Sequence, residues 1–395
     1  MMSSKMKILI LSPFFFPEPI STGKFNTTLA KALCDKGMEV TVICSHPLYP
    51  SWSAKKTDQE IEGIKIIRGG ANMNYPKNLF LKRAFLELGY AFFVLKTLYE
   101  LRDETDLILP VFPPSLAFYS IRPFLRRKTV KVALVHDLQE VYMRNRSGAL
   151  KKLVHYFMYN IEKTNFQNCD KLIFLSEEMK KTAASCYHLD QNKLFVQYPF
   201  VNIDTSSTTN NLSDLMPKNK KHIVYAGALG EKQDPLKLYE LFNYASERIP
   251  NTDFHFFSDG VYFSKLKETN KNPFIRFHNL VEEQDLFELY NKSTVQIIPQ
   301  KKGTSKGSLP SKLPNLLASG CNLLVITDKG SELETLFRTY GLKTVVTLWD
   351  NEEICKKLKE FTDLGITENS GHISVSKKLF QLDFLVNEII KTKTV

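Results

Sequence analysis

At 395 residues the chain is longer than one hydrophobic core usually supports, and its 43% hydrophobic and 24% charged residues exclude a disordered chain and supply apolar material for two cores. The formal charge of +11 favours an acidic partner, whether a nucleoside diphosphate, an anionic lipid or a nucleic acid, without choosing among them. Six scattered cysteines, Cys34, Cys44, Cys169, Cys186, Cys321 and Cys355, lack CxxC spacing, which argues against a zinc site or a disulfide framework and suits a reducing compartment.

The start, MMSSKMKILIL, passes from polar residues straight into a strand-like run, so no secretory signal is expected. Short apolar runs then alternate with helical patterns, as in parallel sheets wrapped by helices. The first set of predicted strands is Lys7–Leu11, Val40–Ile43, Ile64–Ile67, Leu107–Val111, Val132–Val135, Leu172–Leu175 and Leu194–Gln197. The pattern restarts at His222 with Ile223–Ala226, Asp253–Phe257, Ile275–His278, Val295–Pro299, Leu323–Ile326 and Thr344–Thr347. Between the sets, Asp204–Lys221 is polar enough for a linker, and no internal repeat is convincing. The expected class is α/β with two doubly wound, Rossmann-like domains, residues 1–204 and 222–375, a linker at 205–221, and an amphipathic terminal segment at 376–395.

In open sheets of this kind ligands sit beyond the carboxyl ends of the strands. After the first strand, SPFFFPEPISTGKF makes an irregular loop before a helix expected from Lys24, and Gly23 either lets the backbone approach a phosphate or serves only as a turn. His136-Asp137 ends a buried strand. The imidazole can hydrogen-bond a substrate hydroxyl and the carboxylate can orient it or cap the next helix, although a histidine here can equally satisfy local backbone. Gly227-Ala228-Leu229-Gly230-Glu231-Lys232 has neither P-loop nor GxGxxG spacing and sets a cation behind two glycines, so Lys232 is a diphosphate ligand or a surface lysine. In KGSLPSKLPNLLASG, Gly307, Ser308 and Pro310 precede a helix expected from Lys312 to Ala318, with Ser311 as its cap and Gly320 as its end. That helix start with Lys312 is expected to converge with Lys232 on one anion; a solvated lysine before a buried helix gives the same pattern.

Together with CDKLIFLSEEMKK, SDG and HNLVEEQDLFELYNKSTVQIIP, these segments resemble, over nearly the whole chain, the retaining glycosyltransferases of family 4, which have the two-domain GT-B fold. GEKQ, PSKLPNLLASG and HPLYPSW most resemble the colanic-acid, O-antigen and capsule enzymes of that family. The resemblance implies two Rossmann-like domains facing a central cleft, an acceptor-side first domain, a nucleotide-sugar-binding second domain, and a terminal helix returning to the first. It implies transfer of a sugar from a nucleotide-diphosphate donor to an acceptor hydroxyl with retention, with no metal and no cofactor beyond the donor. Lys232 and the Ser311-Lys312 helix start would hold the diphosphate beside Gly227 and Gly230, and Gly23 would close over it. Ser258, Gly260, Asn279, Leu280 and Asn315 would contact base and ribose, and His136, followed by Asp137, would touch the transferred sugar. Glu332 would contact sugar hydroxyls or remain solvated. Two departures stand out: Gly307 and Asn315 occupy the places of two glutamates common in the family, and Ala228 that of an arginine.

Pro76–Leu101 is too densely apolar for a one-sided helix and is punctuated by Lys77, Lys82, Arg83 and Lys96, and 122–131 forms a second basic run. Both fit docking on an anionic membrane surface, which suits a lipid-linked acceptor, or a core helix and a solvated basic edge. A cytoplasmic protein, peripheral on the inner face of the membrane, is the expectation. Other readings are a catalytically silent subunit or sugar-nucleotide sensor and a sugar-nucleotide epimerase of the same fold. A nucleic-acid partner is not expected, since only the charge suggests it.

Overall fold

The computed structural model describes residues 5–49, 51–71, 73–101, 105–138, 149–206, 209–305, 309–342 and 344–392. The chain forms two compact units, one of residues 1–198 and 382–395, the other of residues 199–381.

The first unit is a seven-stranded parallel sheet, β1 (Lys7–Leu11), β2 (Glu39–Ser45), β3 (Ile64–Gly69), β4 (Leu107–Phe112), β5 (Val130–Val135), β6 (Lys171–Phe174) and β7 (Leu194–Val196), in the order β3-β2-β1-β4-β5-β6-β7. Its helices are α1 (Ser21–Asp35), α2 (Leu79–Leu101), α3 (Leu116–Ile121), α4 (Ala149–Asn168) and α5 (Glu177–Tyr187). Strands buried on both faces need apolar side chains at every position, and β4, LILPVF, is buried throughout. On one face Leu9, Ile43, Ile108 and Val135 meet Val94, Phe118 and Phe166 of the helices.

The second unit is also wholly parallel: β8 (Lys221–Ala226), β9 (Thr252–Phe257), β10 (Ile275–His278), β11 (Val295–Pro299), β12 (Leu323–Ile326) and β13 (Val345–Val346), ordered β10-β9-β8-β11-β12-β13. Helices α6 (Pro235–Ser246), α7 (Val261–Thr269), α8 (Leu286–Lys292), α9 (Leu313–Ala318), α10 (Glu332–Thr339), α11 (Asn351–Leu364) and α12 (Ser370–Leu379) connect and flank it. The chain runs outward from β8 to β10 and then returns to add β11 on the other side of β8. The connections after β8 and β11 therefore start at the reversal of strand order, where open sheets of this kind have a ligand-binding crevice at their carboxyl ends.

Two boundaries differ from the sequence reading. The stretch read as a linker packs on the second unit: the Thr209 hydroxyl and the Leu212 amide donate to the Glu288 carboxylate at 2.7 and 3.1 Å, and Leu212 and Met216 are buried. Its polar residues are spent on Glu288 of α8 and on Asp285 just before that helix, which a composition argument cannot distinguish from solvation. The terminal segment also divides. Helix α12 stays with the second unit, where His372 Nδ1 lies 3.0 Å from the Cys321 carbonyl, and only α13 (Leu382–Lys391) returns to the first. Helix α13 buries Leu385, Val386 and Ile389, pairs Asp383 with Lys36 at 3.3 Å, and pairs Glu388 with Lys171 at 3.0 Å.

Candidate active site

The crevice between β8 and β11 collects the groups of the second unit best suited to an anion. Gly227, directly after β8, has φ 123°, a conformation closed to side chains, and its carbonyl accepts the Ser258 hydroxyl at 2.7 Å, which ties the ends of β8 and β9 together. The Tyr225 hydroxyl donates to the Ala228 carbonyl at 2.7 Å, and Gly230 N–H donates to Gln233 Oε1 at 3.0 Å, so the loop is held from both ends. Lys232 lies exposed on a one-turn helix, Glu231–Gln233, and its carbonyl accepts the Lys301 amide at 2.7 Å.

Lys301 and Lys302 come from the loop after β11, and sequence reasoning missed them. The Lys301 ammonium pairs with Glu231 at 2.8 Å, bracing one loop on the other, while Lys302 is exposed. Asp328 anchors the same loop by accepting from Gly303 N–H and the Ser305 hydroxyl at 2.8 and 2.6 Å. A second cationic loop at the crevice is consistent with the missing arginine at Ala228.

Of the two sequence readings of Lys312, a helix-start ligand of a diphosphate or a solvated lysine, the structure excludes the second. The Lys312 ammonium turns inward, donates to the carbonyls of Ala226 and Ile297, the ends of β8 and β11, at 3.0 and 3.1 Å, and lies 4.2 Å from the Tyr225 ring centroid. Burial pushes it down to about 7. An ammonium has three donors, so one N–H remains beyond these two carbonyls. The helix it precedes, α9, has six residues; Lys312 itself is its N-cap position, without a side-chain cap bond, and Ser311 is exposed rather than capping. The turn through Pro310, whose carbonyl accepts Leu313 N–H at 2.9 Å, moves the helix start one residue on and swings Lys312 under the ends of the two central strands.

The other expected residues divide. Asn315 is buried and closes a ring of two hydrogen bonds with Asn202, accepting its amide at 3.0 Å and donating to its side chain at 2.6 Å, so its amide is engaged by protein rather than by a ribose. Gly307 lies outside the described residues. Ser258 is buried, Gly260 opens α7 at φ 98°, and Asn279 and Leu280 are exposed after β10. Glu332 is half-buried as the first residue of α10. In the first unit, Gly23 lies inside α1, which begins at Ser21 rather than Lys24, and a Cβ there would stand 2.8 Å from the Glu18 carbonyl. Close packing of α1 on its own entry loop explains that glycine without a ligand. His136 sits edge-on to Phe25 with ring centroids 4.7 Å apart, and its Nε2 has no hydrogen-bond partner among the described residues. Burial pushes its imidazole down to about 4. Asp137 accepts the Leu138 amide at 2.9 Å.

Sequence reasoning also missed a row of three histidines. His222 of β8, His255 of β9 and His278 of β10 stand two residues further along each successive strand, and their rings link at 3.0 and 3.0 Å, with His222 Nε2 3.0 Å from the Pro217 carbonyl. A carbonyl only accepts, so His222 carries its proton on Nε2, and each neighbour must donate from Nε2 in turn. Burial favours the neutral rings that this order of donors requires, and the row is directional. Burial pushes all three imidazoles down, His278 to about 4. The unfolded chain binds more protons between pH 6.5 and about 4, so stability is full above that window and is lost as pH falls through it. The urea midpoint is expected to drop over that range, and to drop less in His278→Gln; a flat profile in the wild type would contradict this.

The comparisons with known proteins agree with this architecture. The model of Glycosyltransferase Family 4 matches residues 22–205. WcaI of Escherichia coli (strain K12), named as a glycosyl transferase of colanic acid biosynthesis, is 25% identical over 366 residues, covering 85% of this chain and 86% of its own. Sucrose-phosphate synthase from Thermosynechococcus elongatus matches with a TM-score of 0.71 at 13% identity, over 98% of each chain. A trehalose-6-phosphate protein from E. coli, bound with UDP-2-fluoro glucose, matches with a TM-score of 0.71 at 10% identity, over 98% of this chain and 99% of that one. With two wholly parallel sheets and a last helix that returns to the first unit, the chain has the GT-B fold, and within it residues 22–205 are similar to glycosyltransferase family 4.

Proposed function

We propose that the protein is a retaining transferase that moves a sugar from a nucleoside-diphosphate donor to a hydroxyl of a growing or lipid-linked surface polysaccharide. The observation that carries this reading is the β8/β11 crevice, where the Gly227–Lys232 loop, the Lys301-Lys302 loop and the inward ammonium of Lys312 meet. A diphosphate seated there takes amides from the first loop, the charge of Lys232 and Lys302 at its rim, and the third N–H of Lys312 from beneath. Charge grows on the leaving oxygens as the anomeric C–O bond breaks, and fixed cations in a partly dry site stabilise that charge more than they stabilise the ground state. The departing phosphate oxygen takes the acceptor hydroxyl's proton, and the acceptor oxygen bonds to the anomeric carbon on the same face. His136, neutral at pH 7, is assigned to a hydroxyl of the transferred sugar, and no step requires a metal. Support for the donor class comes from the UDP-2-fluoro glucose held by a protein of the same fold, and for the acceptor class from colanic acid biosynthesis in the name of WcaI.

Attachment to an anionic membrane surface belongs to the same proposal. No helix among the described residues is long and apolar enough to cross a membrane. Helix α2 nevertheless has two apolar faces: Leu86, Tyr90, Val94 and Leu98 are buried, while Leu81, Phe85, Leu88, Phe92 and Leu95 form an exposed stripe, with Phe92 74% exposed. This double face explains the density that a one-sided pattern could not. Arg83 and Lys96 are exposed on the same helix, and Arg126, Arg127 and Lys128 follow the exposed Phe124. A hydrocarbon stripe bordered by cations fits the headgroup region of an anionic bilayer.

The test is transfer from a panel of UDP-, GDP- and dTDP-sugars to a membrane lipid extract, with the new linkage read by NMR. A product whose anomeric configuration matches the donor supports the reading. Inversion, or interconversion of the free nucleotide sugar with no acceptor present, replaces it.

A further inference from the structure

Three loops that leave neighbouring strands of the first sheet bring aromatic side chains together. Phe14 follows β1, Trp52 follows β2 and Tyr75 follows β3; the ring centroids of Phe14 and Trp52 are 6.3 Å apart and those of Trp52 and Tyr75 6.0 Å, both edge-on. This places an aromatic cluster at the carboxyl ends of three adjacent parallel strands, the position ligands take in open sheets. Trp52 has φ 54°, a left-handed conformation that a bulky residue keeps only where its surroundings impose it. The surroundings do so: Trp52 N–H donates to the Leu48 carbonyl at 2.6 Å, Tyr75 N–H donates to the Trp52 carbonyl at 3.1 Å, and the buried Glu18 carboxylate accepts the amides of Leu48 and Tyr49 at 2.7 and 3.1 Å. The indole is thereby fixed while still half-exposed, and Tyr49, earlier in the same loop, is 44% exposed. Nothing in the donor site explains a strained, well-anchored tryptophan here.

Lys82, on the first turn of α2, holds its ammonium 4.6 Å from the Trp52 ring centroid and pairs with no carboxylate among the described residues. The exposed stripe of α2 begins beside it at Leu81 and continues to Leu95, about 21 Å at the helical rise of about 1.5 Å per residue. Aromatic rings, a cation and an apolar track thus follow one another in that order. Sugar rings stack on aromatic faces, a phosphate pairs with an ammonium, and a hydrocarbon chain covers an apolar stripe.

We propose that this track is the acceptor subsite: the acceptor's saccharide ring lies against Trp52 and Tyr75, the phosphate joining it to its lipid meets Lys82, and the lipid runs along α2. The proposal rests on the reading of the chain as a transferase with a lipid-linked acceptor, and it assigns that acceptor's three chemical parts to named residues.

The chain has two tryptophans, Trp52 and Trp349, so the full-length Trp349→Phe protein leaves Trp52 as the only indole reporter. It is titrated with geranyl-diphospho-glucose, -galactose and -N-acetylglucosamine, with geranyl diphosphate and the free sugars as controls. At least one prenyl-linked sugar is expected to change Trp52 emission saturably, and more tightly than geranyl diphosphate. Calorimetry is expected to show about tenfold weaker binding in Trp52→Ala and in Lys82→Ala, with Trp52→Phe close to wild type, since stacking needs a ring rather than an indole. No response to any prenyl-linked sugar, affinities unchanged by Trp52→Ala and Lys82→Ala, or a stable dimer that covers the stripe and abolishes the response would overturn the proposal. Stabilisation by the nucleotide panel, measured on the same variants, is expected to be unchanged. A protein that answers nucleotides but no prenyl-linked sugar refutes the acceptor subsite alone, and one that answers neither overturns the transferase reading as well.

Discussion

Lys312→Met is expected to lower transfer at least about a hundredfold, the usual cost of removing a donor aimed at developing negative charge, while leaving the melting temperature within a few degrees of wild type. The two outcomes separate because the ammonium has opposed effects on folding. Its removal relieves a costly desolvation but withdraws a donor from the Ala226 and Ile297 carbonyls, each an effect of about 1–3 kcal/mol. A pH signature accompanies this. With the folded-state ammonium pushed down to about 7, the unfolded chain holds more protons from there up to 10.5, so wild-type stability rises as pH rises through that range. Lys312→Met should lack that increment. A diphosphate draws a proton back onto Lys312, so donor affinity is expected to weaken as pH climbs above about 7. Chemical denaturation and donor titration across that range check both signs; a Lys312→Met protein with full activity would remove the lysine from the mechanism.

The second large effect is expected at α2. Phe85→Ser with Phe92→Ser removes two exposed rings from the stripe, and at about 1.5–3 kcal/mol for each buried aromatic the partition onto vesicles containing anionic lipid should fall by two orders of magnitude or more. Because both side chains are exposed, stability and donor binding should not change. Co-sedimentation with vesicles of phosphatidylglycerol and phosphatidylcholine measures this directly. Raising the salt concentration should weaken binding of the wild type further, since the exposed basic residues supply the rest of the attraction. Undiminished vesicle binding by the double variant would assign the attachment to another surface.

Much of the fold could be read from the sequence because parallel strands covered on both faces are nearly continuous apolar runs. The run LLVI at Leu323–Ile326, buried throughout, has in the structure the ends expected from the sequence. Boundaries were harder where polarity had two causes: Asn211 and Thr209 look solvated in sequence and instead bond to Asp285 and Glu288. Around the candidate site, the glycines and lysines announced the β8 loop, yet the sequence could not say which way Lys312 points, since a lysine after a proline turn looks the same whether it faces water or two strand carbonyls. The Asn202–Asn315 pair spans 113 positions and the histidine row depends on strand register, so neither leaves a local pattern. HPLYPSW could be recognised as a family resemblance, but the left-handed backbone of Trp52 that gives it a physical role became visible only with the fold.

Transfer as proposed requires a diphosphate site in the second unit built from Lys232 and Lys312. Its most direct test is the melting temperature of wild type and of the Lys232→Ala, Lys312→Met double variant, each with UDP-, GDP- and dTDP-sugars at saturating concentration. At least one nucleotide sugar should stabilise the wild type by several degrees, as a ligand present at about 100 times its Kd would, and the double variant should show almost none of that shift. Equal shifts in the two proteins would place the donor elsewhere, and the absence of any shift in the wild type would contradict the donor class itself.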